Sequence, residues 1–196
     1  SEDDILRYAG RIGQAIQATL FVQDFNPGGA TVGAAFCKRL KEQCPNFEMI
    51  KLEEPLMAEK ITGIREATND EVGVLEGWGS LYMLELFDAG IIGTMPGAEI
   101  TDALQKVWDL RKAGKTDEAF DVFSPLLPHI NFGLENFEMF HWVEKPLLVE
   151  RGAIACAHVR DATITVDPVS RQYLEVLRRR ILEYIESLGL PVRPLD

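Results

Sequence analysis

This chain has few residues that could hold a disulfide or a metal. Its three cysteines, Cys37, Cys44 and Cys156, are odd in number and show no CxxC spacing. They predict reduced thiols in a cytoplasm-like compartment rather than a disulfide framework or zinc ribbon. Its three histidines are equally scarce. Glu138-Met-Phe-His141 spaces an acid and an imidazole as di-metal bundles do, but His129 and His158 have no partner at ligand spacing, so no metal is expected. Basic residues are also in deficit: Lys and Arg number 20 against 31 Asp and Glu, a net charge of −11. Such a surface repels phosphate backbones and anionic membranes, so neither nucleic acid nor a membrane is expected as a partner. No apolar run approaches about 18 residues, so no membrane span is expected. The opening Ser1-Glu-Asp-Asp-Ile5 does not read as a signal peptide. Asn26-Pro-Gly-Gly29 lacks the spacing of a dinucleotide or nucleotide phosphate loop, reads as a turn between strand and helix, and gives no cofactor motif.

What remains is an ordinary globular composition, 46% hydrophobic and 26% charged, with enough apolar residues for a core. Ser1 followed by three acids predicts a helix N-terminus and a helix to Ile16. Short apolar runs then alternate with amphipathic stretches. Strands are expected at Ala18–Val22, Phe47–Leu52, Val72–Glu76 and Gly90–Met95. Helices are expected at Thr31–Lys41, Pro55–Ala67 and Ser80–Ala89. After Pro96-Gly97 the expectation is helix throughout, over 99–113, 116–127, 132–151 and 168–188. Near-continuous apolar strands alternating with helices mean a parallel sheet covered by helices. Two architectures fit: a complete open sheet, or part of a (β/α)8 barrel, which typically needs about 250 residues.

Lys51 is the most informative residue. It lies at the C-terminal end of the second strand, the end at which α/β folds build their sites. A lysine in a buried strand must be paired or neutralised, and desolvation frees its amine to attack a carbonyl. The alternative is a snorkelling lysine paired with Glu53 or Glu54. The other strands end in Gln23-Asp24, Glu76-Gly77 and Thr94-Met-Pro-Gly97. In a parallel sheet these ends meet on one side, where a lysine, carboxylates, an amide and glycine-lined loops would surround a pocket. Against this, Asp24 and Glu76 would serve equally as caps for the following helices.

Several segments in order carry a family resemblance. Ile50-Lys51-Leu-Glu-Glu54 resembles the strand-six lysine segment of the dihydrodipicolinate synthase / N-acetylneuraminate lyase family. Gly77 with Ala89-Gly-Ile-Ile-Gly93 resembles its strand-seven to strand-eight segment. Lys145-Pro-Leu-Leu-Val-Glu-Arg-Gly152 resembles its late helix, and Arg160 to Pro168 the stretch that follows. The resemblance implies the C-terminal half of a (β/α)8 TIM barrel, strands five to eight, over residues 1–115, with a C-terminal helical extension over 116–196. The barrel's first half, with its Gly-Thr-Thr-Gly-Glu-type carboxylate loop, is then not in this sequence, and a lone half barrel should be unstable or associate. The family's usual homotetramer or dimer is implied as well.

One departure stands out. The family's strand five usually continues Tyr-Asn-x-Pro, and its tyrosine relays protons. Here Val22-Gln-Asp-Phe-Asn26 puts Gln23 in the tyrosine's place, a form similar to the 2-keto-3-deoxy-L-arabonate dehydratase branch. The implied chemistry is a lyase in which Lys51 forms a Schiff base with a 2-oxo acid. A C3 proton then leaves, and either a C4 hydroxyl is expelled or the C3–C4 bond breaks. Asp24, Gln23 through a water, or a group in the barrel's first half is the expected acid/base, with Glu76 a further candidate; Glu76, Gly77, Thr94 and Gly97 are expected to line the substrate pocket. A member that binds 2-oxo acids without catalysis remains an alternative.

Overall fold

The structure, a computed structural model, describes residues 1–25, 32–160 and 164–192. The turn expected at Asn26–Gly29 lies outside the described residues. Two compact units divide the chain, Ser1–Met95 and Pro96–Asp196.

The first unit opens with helix α1 (Glu2–Ala15), capped by a reciprocal box between Ser1 and Asp4. Strand β1 (Leu20–Asp24), helix α2 (Ala34–Gln43), strand β2 (Phe47–Leu52), helix α3 (Ala58–Ala67), strand β3 (Gly73–Glu76), the single-turn helix α4 (Met83–Leu86) and strand β4 (Gly93–Thr94) follow. All three strand pairs are parallel, in the order β1-β2-β3-β4. The expected βα alternation is therefore present, and four parallel strands with covering helices are consistent with part of a barrel. β1 sits two residues later than expected. The Asn46 amide donates to the carbonyls of Gly13 and Ala18, and pairing begins only where Leu20 N donates to Asn46 O. The expected helix 80–89 shrinks to α4 because turns enclose it: Gly79, Ser80 and Gly90 all have positive φ. Gly90 needs that freedom twice over, since a Cβ there would run into the Arg65 guanidinium.

Register decides what each face of the sheet carries. Gln23 pairs with Lys51, and Lys51 with Leu75; one step on, Asp24 pairs with Leu52, and Leu52 with Glu76. Side chains alternate across a strand, so these two rows face opposite ways. Ile50, Leu52, Val74 and Glu76 are all fully buried, as are Phe36, Leu40, Ile61 and Ile64 of α2 and α3, the helices that pack on β2 and β3. Each such apolar side chain contributes roughly 1.5–3 kcal/mol of burial. The opposite row is more open: Met49, Lys51 and Leu75 are half-buried and Phe21 is exposed.

The second unit is helical: a 3-10 turn at Ala98–Ile100, α5 (Thr101–Lys112), α6 (Thr116–Phe123), a 3-10 turn at Ser124–Leu126, α7 (Leu127–Leu134), α8 (Phe137–Glu150) and α9 (Pro168–Ser187). The single helix expected over 132–151 is two helices. Asn136 stops one and starts the next, its side chain accepting from Glu138 N at 2.8 Å. Arg151, closing α8, binds both carboxylate oxygens of Asp102 on α5 and the carbonyl of Glu99. Gly152 follows with a positive φ as the helix terminator.

Candidate active site

Lys51 projects from the open face at the C-terminal end of β2. Its Nζ lies 2.6 Å from Glu53 Oε1, and the two side chains are only 16% and 5% exposed. The same oxygen accepts from Gln23 Nε2 at 2.6 Å. One carboxylate oxygen thus gathers an ammonium from β2 and an amide from β1. Gly77, just past β3, closes over them. A Cβ at that position would fall 2.5 Å from Lys51 Cε and 2.6 Å from Glu53 Cγ, so only glycine leaves the lysine its place. Gly77 N donates to Leu52 O at 2.8 Å, which holds the loop against the end of β2.

Behind the sheet lies a second set of charges. Asp24 Oδ2 accepts from Val32 N at 3.0 Å and from Lys60 Nζ at 3.3 Å, and Lys60 also binds Glu54 at 2.6 Å. Burial pushes the Asp24 carboxyl up, against the pull of the Lys60 charge and the Val32 N–H. Glu76 is fully buried. Burial raises its pKa to about 7, although backbone donors at Trp78, Tyr82 and Ser80 and the charge of Lys51 pull the other way. Its Oε1 accepts from Trp78 N at 2.9 Å, and its Oε2 has no partner. Thr94 shares the register row of Glu76 and accepts from Ser80 Oγ at 2.7 Å, fastening the β3–α4 turn to β4.

The sequence-based candidates therefore separate. Lys51, Gln23 and Gly77 come together on the open face. Asp24, Glu76 and Thr94 lie on the other row, and Gly97 belongs to the second unit. Glu53 joins the lysine cluster although the sequence offered it only as a partner for a snorkelling lysine. Strand alternation is the signal that finds it, because residues 51 and 53 share a face and residue 54 does not.

The Glu138/His141 pair of the metal alternative shows no such convergence. Glu138 Oε2 accepts from Ile164 N, and the His141 ring packs edge-on against Phe140. Among the described residues no group of three or more His, Cys, Asp or Glu is placed to hold a metal ion.

No family model matches the chain. It is 26% identical over 181 residues to L-2-keto-3-deoxyarabonate dehydratase from Azospirillum brasilense, a match covering 92% of this chain and 58% of that protein. Dihydrodipicolinate synthase from Rhodopseudomonas palustris superposes with a TM-score of 0.82 at 24% identity, over 92% of this chain and 62% of that one. An E. coli K12 prophage protein of the dihydrodipicolinic acid synthase family, solved with pyruvate, superposes with a TM-score of 0.77 at 16% identity, over 97% of this chain and 62% of its own. The chain shares the fold of these dihydrodipicolinate synthase structures over nearly its whole length. It spans 58% of its curated relative's length, which fits a C-terminal portion of the family's fold. Beside those structures the four parallel strands are consistent with a partial TIM barrel, and no described helix is long and apolar enough to cross a membrane.

Proposed function

We propose that Lys51 is the Schiff-base lysine of a lyase acting on a 2-oxo acid, and that the reaction is dehydration of a 2-keto-3-deoxy sugar acid. The observation that carries the proposal is the Lys51–Glu53–Gln23 cluster under Gly77. In this reading β1 to β4 are barrel strands five to eight, and the open face with Phe21, Met49 and Leu75 is barrel interior. Oligomeric association and a reducing, cytoplasmic setting are part of the same proposal.

The chemistry follows from the three side chains. Lys51 gives up a proton to solvent, its free amine attacks the C2 carbonyl, and the carbinolamine hydroxyl takes a proton back and leaves as water, giving a protonated imine. Glu53 takes the C3 proton, and the electrons of the C3–H bond neutralise the imine as an enamine. The enamine expels the C4 hydroxyl, which leaves as water with the proton that Glu53 returns. Water then hydrolyses the conjugated imine and restores the amine. Gln23 orients the carboxylate through its amide, where a phenol would have relayed protons itself. A dehydration needs one group that takes a proton and gives it back on the same side of the substrate, and Glu53 suffices. Retro-aldol cleavage by the same imine is the alternative outcome. Asp24 and Glu76, on the other row, are assigned positioning roles; Thr94 and Gly97 remain proposed pocket residues.

The test is borohydride reduction in the presence of pyruvate and, separately, of a 2-keto-3-deoxy sugar acid, read by intact mass and peptide mapping. An adduct on Lys51, absent from Lys51→Arg, is the expected result. Wild-type turnover by Lys51→Ala would overturn the mechanism. Binding without any adduct would identify a non-catalytic binder of 2-oxo acids.

A further inference from the structure

The two segments that flank Lys51 carry an aromatic pair with no part in the proton transfers. Phe25 follows β1, just beyond Gln23, and Trp78 follows β3, next to Gly77. Their rings stack with centroids 6.3 Å apart and planes inclined at 23°, a normal geometry for an aromatic contact. In the sheet β2 lies between β1 and β3, and strands two places apart are separated by about 10 Å. The pair therefore reaches across the end of β2, the end that carries Lys51 and Glu53.

The backbone fixes Trp78 in that place. Its N–H donates to the buried Glu76 carboxyl at 2.9 Å, and its carbonyl accepts from Leu81 N at 2.9 Å. On either side, Gly77 N is tied to Leu52 O and Ser80 Oγ to Thr94 Oγ1. Ser80 has a φ of 70°, a left-handed conformation that is rare outside glycine and that gathers at ligand sites. Both rings are only half-buried, so part of their surface is open. A rigidly held, half-open apolar surface gains when hydrocarbon covers it.

We infer, resting on the lyase reading of Lys51, that Phe25 and Trp78 form the wall on which the substrate chain packs beyond C3, and that they select a 2-oxo acid of at least five carbons with an uncharged tail. With C2 on Lys51 and C3 against Glu53, C4 and C5 remain to be placed, and the pair stands at the same end of the sheet. Ring faces receive the C–H groups of such a chain. They are also electron-rich, and together with the Glu53 carboxylate they disfavour a second carboxylate on the tail. Two carbons taken out of water are worth about tenfold in affinity.

The experiment is borohydride trapping at graded concentrations of pyruvate, 2-oxopentanoate and 2-oxoglutarate, read by intact mass. 2-Oxopentanoate has the two extra carbons and no C4 hydroxyl to expel, so its half-saturation reports binding. It should half-saturate at a concentration about tenfold below that of pyruvate and at least tenfold below that of 2-oxoglutarate. Trp78→Ala and Phe25→Ala should each cut its advantage over pyruvate at least threefold, and Trp78→Phe should retain most of it. An advantage that both alanine variants leave intact, or 2-oxoglutarate binding as well as 2-oxopentanoate, would overturn the proposal. Equal losses for pyruvate and 2-oxopentanoate would do so too, since they mark a purely structural role for the rings. No adduct with any of the three acids on the unaltered chain would instead sink the lyase reading, and this proposal with it.

Discussion

Glu76 should make the stability of this chain fall as pH rises from acid to neutral. The carboxyl is fully buried, and burial lifts its pKa from 4.5 to about 7. Below pH 4.5 it is protonated in both the folded and the unfolded chain and contributes no pH dependence. Between 4.5 and about 7 the folded chain keeps the proton and the unfolded chain has lost it, so ν_U is smaller than ν_N and stability declines with pH. Above about 7 both forms are ionised and the decline stops. At about 1.4 kcal/mol per unit, the shift amounts to roughly 3 kcal/mol across that window. Glu76→Gln removes the titration while keeping an oxygen for the Trp78 N–H. Urea unfolding of the two proteins from pH 4.5 to 8 reads the difference directly. The variant should gain on the wild type by roughly 3 kcal/mol over the series, most steeply between pH 5 and 7. A difference that stays constant with pH would refute the claim that a buried, half-partnered carboxyl titrates there.

Glu53→Gln should still form the Lys51 adduct with pyruvate yet lose about 10²- to 10⁴-fold in turnover, the range for a general acid/base; turnover within about threefold of wild type, measured alongside trapping, would remove Glu53 from the chemistry. Gly77→Ala puts a methyl 2.5 Å from Lys51 Cε, and overpacking of this kind costs about 1–3 kcal/mol. Imine trapping should slow at least tenfold while circular dichroism is unchanged, and an unaltered trapping rate would show that the loop yields. Thiol labelling should find Cys156 first, because it is exposed; Cys37, whose pKa burial lifts to about 12, should react only after denaturant is added, and its labelling in the native protein would contradict its burial.

The architecture was legible where residue type and period agreed. Phe47–Leu52 reads as a strand from its apolar run and is one, residue for residue. The helix expected over 80–89 failed because its apolar pattern says nothing about Gly79, Ser80 and Gly90 turning left-handed. The split at Asn136 was available in principle, since asparagine followed by an acid is a cap signal; an unbroken apolar pattern from Phe132 to Val149 concealed it. In the site, Lys51 was visible as a charged residue in a buried strand, whereas its neighbour across the sheet was not. That Gln23 sits beside Lys51 depends on the β1–β2 register, which no spacing within one strand encodes. The adjacent acids show the same limit from another side. Glu53 goes to Lys51 and Glu54 to Lys60, a division that follows from strand alternation continuing one residue past β2.

That division has a chemical consequence. Charged groups away from water are tolerated when each is paired, and the sheet sorts its charges accordingly: Lys51 with Glu53 on the open face, Lys60 with Asp24 and Glu54 behind it. In the proposed cycle the front pair is balanced at the resting, imine and enamine stages. The resting ammonium faces a carboxylate. The amine is neutral only while it attacks; the protonated imine then restores the same positive charge at the same nitrogen, and the pair is re-formed. When the C3 proton passes to Glu53, nitrogen and carboxyl become neutral together. When the hydroxyl leaves as water, taking that proton, both charges return. A phenol in place of Gln23 would have to ionise to play the same part, adding a charge to a site that already holds one carboxylate. An amide gives Glu53 a hydrogen bond without titrating, which is the reason a chain that relies on a carboxylate beside its lysine is better served by glutamine than by tyrosine at position 23.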